Sequence, residues 1–249
     1  MNLNVKKLLI RFFEKYYSHQ HPETALRYLP VISEITKANL LDSKILEIGS
    51  GSLGITPYLR KEIEGIDIDF SGPQTKLIKK NKGNADNLPF KKNTYDVTIS
   101  VDVIEHLAKE RREMTIYEQL RVTSKLAVIV VPTGEYSQEQ DKILHDYYIK
   151  IFSDKNQFLD EHIKFGLPST DEILVWIDKS TRKLKKKPNI KSYPLLNLFV
   201  RNILMRTWIS RSELIYYLYM KGYLLLVPFL RLANFGNCYR RIFVIEFSS

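Results

Sequence analysis

The chain has 249 residues, 44% of them hydrophobic and 27% charged, with 38 Lys+Arg against 28 Asp+Glu for a formal net charge of +10. That mixture excludes a disordered or low-complexity chain, and the length carries one large domain, or a domain with an appended subdomain, whose core needs no staples. Cys238 is the only cysteine, which excludes an internal disulfide and makes a reducing cytoplasm the expected compartment.

Residues 3–17 set Leu3, Lys7, Ile10, Phe13 and Tyr17 near one face of a predicted helix. The apolar run breaks at Arg11 and Glu14 with no small-residue cleavage site behind it, so no secretory signal is expected. His21-Pro22-Glu23-Thr24 opens a second helix that runs to about Asn39. Short β-like runs then alternate with helical stretches. Strands are expected at Lys44–Ile48, Gly65–Ile68, Tyr95–Ser100 and Leu126–Val131, and helices at 54–61, Thr75–Lys80 and Ile104–Val122. Such alternation gives parallel pairing through right-handed crossovers, an α/β doubly wound sheet. Beyond Gly134, helices are expected at 139–152, Ser169–Asp178, 192–206 and 210–232. Lys183–Lys187 reads as a lysine-blunted edge strand and Tyr239–Phe247 as a closing strand.

The run from Ile45 to Gly54 (ILEIGSGSLG) is a strand, a glycine loop and a helix start. Glycines let the backbone turn and approach a ligand, and the following helix start offers free N–H groups. At the switch point of a doubly wound sheet this is where a nucleotide-like ligand binds. Asp67 lies 18 residues after Gly49, a spacing at which a carboxylate accepts ribose hydroxyls, with Asp69 as a competitor that can instead cap the next helix. Glu47 stands where a dinucleotide loop has an apolar residue. A carboxylate there suits a cationic ligand, holding an ammonium or facing a sulfonium through water.

LEIGSGSLG, GIDID, NADNLPF, YDVTIS and VDVIEHL, in this order over residues 43–133, resemble the class I S-adenosylmethionine-dependent methyltransferases with a Rossmann-like fold. The resemblance implies a doubly wound, mostly parallel seven-stranded sheet with an antiparallel last strand, N-terminal helices and a helical insertion before the last strand. Three parts follow: helices over 1–42, a cofactor-binding core over 43–135, and acceptor-side helices with the closing strands over 136–249. The implied cofactor is S-adenosylmethionine. Glu47, Gly49, Ser50 and Gly51 would shape its methionine end, with Val101 beside them. Asp67 would bind the ribose, and Ile68 would pack on the adenine. The family usually has Asp where this chain has Asn84; with Ala85 between them, Asn84 or Asp86 would reach the adenine amino group.

Methyl transfer needs alignment of the acceptor, and a base only where the acceptor must lose a proton. Asp102 and His106 are four apart, so on a helix they share a face, and His106 is the candidate base. Asp102, Glu105 and His106 could approach a divalent cation, or Glu105 and His106 could simply cap and pack the helix start; no metal set is assigned. His145 and His162 are further candidates for the acceptor pocket.

The charge is localised. Residues 1–178 hold 24 basic and 26 acidic side chains, and residues 179–249 hold 14 basic side chains against Glu213 and Glu246 alone. In this rear segment the longest charge-free run of the 214–230 stretch is nine residues, too short to span a bilayer. A buried helix pair over the acceptor side and an interfacial helix on anionic head groups both fit. The rear also resembles the ends of methyltransferases of cell-surface glycan assembly. The expected activity is therefore methyl transfer, with O-methylation of a small-molecule, saccharide or lipid-linked acceptor. The expected location is cytoplasmic with peripheral contact to an anionic membrane. The competing readings are a cofactor-binding module without transfer activity and an RNA methyltransferase using the basic rear; no recognised nucleic-acid-binding motif is present.

Overall fold

Helical crossovers cover both faces of a parallel sheet, and its strands therefore read as the near-continuous apolar runs of the front half. The computed structural model describes residues 11–12 and 15–247. Its elements begin with helix α1 (Pro22–Lys37), strand β1 (Ile45–Ile48), the one-turn helix α2 (Thr56–Leu59), and strands β2 (Ile63–Asp67), β3 (Ile78–Lys82) and β4 (Tyr95–Val101). A 3-10 turn (Ile104–His106), helix α3 (Lys109–Val122), strand β5 (Thr123–Pro132) and helices α4 (Glu135–Phe152), α5 (Gln157–Phe165) and α6 (Thr170–Leu184) follow. Strand β6 (Pro188–Asn197), helix α7 (Leu198–Trp208), a helical run made of α8 (Glu213–Tyr217), a π turn (Leu218–Gly222) and α9 (Tyr223–Leu230), and strand β7 (Cys238–Phe247) complete the fold.

The seven strands form one sheet in the order β3-β2-β1-β4-β5-β7-β6. Six run in one direction and β7 is reversed between β5 and β6. The doubly wound, mostly parallel sheet expected from the sequence is therefore present, with helices α7 to α9 inserted before the last strand. Period-two alternation distributes the core. Val128 and Val130 of β5 and Ile242 and Val244 of β7 join Tyr28, Val31 and Ile35 of α1 on one face. Ala127, Ile129 and Val131, with Phe243 and Ile245, meet Ile116 and Leu120 of α3 and Ile173 and Ile177 of α6 on the other.

Several local expectations are corrected. Thr75–Lys80 is not a helix: Ile78–Lys82 is the edge strand β3, and the loop before it turns at Gly72 with φ +97° and continues through Pro73. Lys79, Lys80 and Lys82 blunt that edge, so the lysine-guarded strand exists at β3 and not at Lys183–Lys187. The latter run ends α6, whose capping box of Ser169 and Glu172 starts it as expected but whose apolar period continues through Ile177 to Leu184, past Asp178. The helix expected at 192–206 is split. Pro188 and Pro194 sit in edge strand β6, where a missing N–H is tolerated, and α7 starts after Asn197, whose side chain accepts from the N–H groups of Phe199 and Val200. The helix at 54–61 shrinks to one turn, and Ile104–Val122 divides into a 3-10 turn and α3. The helix expected over 3–17 lies for its larger part outside the described residues.

Candidate active site

The glycine loop after β1 is held from below. Gly49, Gly51 and Gly54 have φ of +71°, +53° and +49°, the left-handed region that glycine enters without strain. A Cβ on Gly49 would lie 2.3 Å from Val103 Cγ2, and one on Gly54 would lie 2.0 Å from Glu47 Oε2. Glu47 is fully buried: Tyr28 Oη donates to its Oε1 at 2.7 Å and the Ile55 N–H donates to its Oε2 at 2.8 Å. Burial pushes this carboxyl up to about 7 against the pull of those two hydrogen bonds. Glu47 is thus neither a solvated strand end nor a free carboxylate facing a ligand; it braces the loop. The free helix N-terminus expected behind the loop is likewise replaced by a single turn whose leading amide is spent on Glu47.

Gly51 faces open space, with nothing within 4 Å of a Cβ built there. Its N–H donates to Asp67 Oδ2 at 2.7 Å, and Asp67 Oδ1 accepts from the Asp69 N–H at 3.1 Å. Asp69 accepts from Ser71 and caps the turn after β2, with no helix behind it. Ile68, 65% exposed, projects beside Asp67. Asp86 is engaged by Arg111 through two hydrogen bonds of 2.6 and 2.7 Å, whereas Asn84 is exposed and its main chain bridges to Asn87. Ala85 packs against the Leu88 and Phe90 side of the core. Ser50 is buried and donates to the Gly51 carbonyl; the Val101 side chain lies in the core against α1 and does not line the cleft.

The strongest departure concerns Asp102 and His106. Asp102 has φ +52°, and this left-handed residue turns the chain out of β4 into the 3-10 turn, so the two do not share a helix face. Arg240 holds the Asp102 carboxylate through hydrogen bonds of 2.6 to 3.0 Å, and Arg27 adds one of 2.6 Å; Glu23 approaches Arg240 at 2.5 Å. Burial alone would raise the Asp102 carboxyl, but the two guanidiniums hold it well below the ordinary carboxylate range. Asp102 is thus the centre of a buried ion cluster joining α1, β4 and β7, and its side-chain partners are Arg240 and Arg27.

His106 keeps other company. Its Nδ1 lies 2.7 Å from Glu161 Oε2, its Nε2 3.9 Å from Glu105 Oε1, and its ring 4.8 Å from that of His162. His162 Nδ1 lies 2.8 Å from Asp141 Oδ2, and Asp141 also accepts from Arg201 at 2.6 Å and Tyr239 at 2.9 Å. Burial, and then the adjacent His162, lower the His106 pKa. Glu105 is fully buried and raised well above the ordinary value by that burial and by the Asp102 charge. Of the histidines flagged from sequence, His162 joins this cluster and His145 instead faces Asp160 at 3.7 Å. Arg27, Asp141, Arg201, Tyr239 and Arg240 carried no sequence signal, since their partners lie dozens of residues away.

The 213–230 run is neither wholly buried nor wholly free. Tyr219, Leu224 and Val227 pack on Ala25 and Leu26 of α1, while Leu214, Tyr217, Leu218, Leu225, Leu226 and Phe229 are exposed. Only 17% of the run is buried, and its 18 residues reach the length and mean hydropathy of a membrane-crossing helix despite Glu213 and Lys221. The short charge-free stretch thus understated its apolar character. Between this run and α1 lies a cavity of about 470 Å³ lined by Tyr17, Leu29, Tyr58, Leu224 and Val227 among others.

Residues 46–131 match the sequence family of the methyltransferase domain. No curated protein matches the chain significantly. The fold is similar to that of an S-adenosylmethionine-dependent methyltransferase of Thermotoga maritima, described as a possible histamine N-methyltransferase. The identity is 15%, 99% of this chain and 100% of that chain are covered, and the TM-score is 0.52. It is also similar to the methyltransferase domain of the bacterial protein CtHen1-C, at 14% identity over 91% of this chain and 100% of that one, with a TM-score of 0.54. At such identities the likeness is one of fold, and the family match carries the chemistry. Residues 46–131 are thus a methyltransferase domain by their family match, and the sheet built out around them has the fold of the S-adenosylmethionine-dependent methyltransferases.

Proposed function

We propose that this methyltransferase moves a methyl group onto a hydroxyl oxygen of a saccharide or other small acceptor, carried by a lipid at the cytoplasmic face of an anionic membrane. When bound, S-adenosylmethionine supplies a methyl group already activated by the sulfonium. The residues at the carboxyl ends of β1 and β2 fit that cofactor: Gly51 leaves open space above the loop, Asp67 is half-buried at the strand tip, and Ile68 offers an exposed apolar surface for adenine. Asn84 is the side chain for the adenine amino group, because Asp86 is already paired with Arg111. A hydroxyl acceptor has to lose a proton, and Glu105, His106 and His162 form the polar cluster past β4, joined to the loop by the contact of Val103 with Gly49.

The observation that carries the acceptor class is the exposed apolar face of 213–230, which buries only 17% of its length and lies in the basic rear of the chain. Such a face beside Arg206, Arg211 and Arg231 suits the boundary between acyl chains and anionic head groups. The test is radiolabelled methyl transfer into fractionated cell material, paired with co-sedimentation on anionic vesicles. Label in the lipid or glycan fraction, with vesicle binding, is expected. Label confined to RNA, or to amines of soluble metabolites, would overturn the reading, and no label at all with intact S-adenosylhomocysteine binding would leave a binding module.

A further inference from the structure

We infer that Glu105, His106 and His162 form a binding site for a first-row divalent transition-metal ion. One ligand atom from each lies within 4.8 Å of the others. A buried carboxylate is normally hydrogen-bonded or paired, because losing its hydration costs several kcal/mol. Glu105 is fully buried, and neither of its oxygens has a hydrogen-bond partner among the described residues. His162 Nε2 is equally buried and equally without a partner there. Both face the same small volume.

The far sides of the rings complete the case. His106 Nδ1 meets Glu161 and His162 Nδ1 meets Asp141, at 2.7 and 2.8 Å. A carboxylate accepts only, so in each pair Nδ1 is the protonated nitrogen and Nε2 carries the lone pair. That is the arrangement by which outer carboxylates fix the tautomer and raise the basicity of metal-ligating imidazoles. Arg201 and Tyr239 then hold Asp141, so the second ring is locked from β7 and α7.

Two imidazole nitrogens and one carboxylate select Mn²⁺, Fe²⁺, Co²⁺ or Zn²⁺ over Mg²⁺ or Ca²⁺, which prefer all-oxygen sets. With ligand atoms up to 4.8 Å apart, binding at about 2.1 Å from each requires the side chains to close in by less than about 1 Å. Three protein ligands leave coordination positions open for a substrate. The role of this ion rests on the hydroxyl acceptor proposed above. A cation beside that hydroxyl lowers its proton affinity, so its proton leaves to solvent. The oxygen then forms the bond to the methyl carbon as the carbon–sulfur bond breaks, and that electron pair stays on the sulfur of S-adenosylhomocysteine.

The test is titration of the chelator-treated full chain with CoCl₂, followed by calorimetry and by the visible absorption of nitrogen-ligated Co²⁺. One equivalent is expected to bind. Glu105→Gln and His162→Gln are expected to abolish the absorption band while retaining the melting shift given by S-adenosylhomocysteine, which shows that they fold. Glu161→Gln is expected to weaken binding by about 10- to 100-fold. Absence of stoichiometric binding to the wild-type chain, or binding unchanged in Glu105→Gln and His162→Gln alike, overturns the site. The titration needs no acceptor, so the two readings fail separately. Cobalt binding without any methylated hydroxyl supports the site and removes the acceptor; full transfer to a hydroxyl by chelated protein that binds no cobalt does the reverse.

Discussion

Glu47 gives the sharpest quantitative expectation. Its carboxyl sits at about 7 in the folded chain against an ordinary 4.5, because burial disfavours its charge more than Tyr28 and Ile55 favour it. Below pH 4.5 the group is protonated folded and unfolded alike, and carries no penalty. Between 4.5 and 7 the unfolded chain ionises while the folded chain keeps the proton, so stability falls as pH rises. Above 7 both states are ionised and the cost is complete, about 3 kcal/mol. Other groups titrate in the same window, so the quantity to measure is the difference between wild type and Glu47→Gln, an isosteric change that removes only this titration. Urea unfolding of both proteins without cofactor, from pH 5 to 8.5, is expected to move the wild-type midpoint toward lower urea relative to the variant. The relative shift is about 1 M for a slope near 3 kcal/mol per molar. Parallel midpoints across the range would refute the buried, half-compensated carboxylate.

The same geometry predicts that Gly54→Ala loses about 3 kcal/mol, since the new Cβ meets Glu47 and the residue must hold a positive φ; a midpoint within experimental error of wild type would show that loop and brace are not in contact. Arg240→Met leaves Asp102 and Glu23 with Arg27 as their remaining close cation, and is expected to cost about 3–5 kcal/mol. Adding Asp102→Asn should recover part of that loss in a double-mutant cycle, and strict additivity would contradict a shared ion cluster. Asn84→Ala is expected to weaken S-adenosylhomocysteine about tenfold by calorimetry, the order of one hydrogen bond, while Asp86→Ala changes it little; the reverse order would assign adenine to Asp86.

The sheet was legible because burial writes itself into local sequence. β1, β4 and β5 are runs of Ile, Leu and Val interrupted by few polar residues, and a glycine loop follows the first. What misled was local sequence whose meaning depends on a distant partner. IKKNK in β3 has one buried residue, and its strand character comes from pairing with β2. Lys183–Lys187 has the composition of a guarded edge but serves the carboxyl end of α6, where cations complement the helix dipole. The helical spacing of Asp102 and His106 was sound arithmetic applied to a segment that a single left-handed residue takes out of helix. His162 was visible as a candidate, but nothing in a separation of 56 residues announces that it meets His106.

The uneven charge has a structural use that composition alone hid. The rear segment looks like a basic surface, yet its cations reach carboxylates and carbonyls of the near-neutral front. Arg240 neutralises Asp102 and Glu23, Arg201 neutralises Asp141, Lys179 meets Glu113, and Lys186 donates to the carbonyls of Leu120 and Thr123. Arg201 and Arg240 are themselves buried, which is tolerable only because each is paired. Both pairs flank the cluster of Glu105, His106 and His162. Arg201 fixes the carboxylate that orients His162, and Arg240 holds the Asp102 carboxylate in an ion pair of its own. The closing strand and α7 therefore complete the site electrostatically as well as closing the sheet.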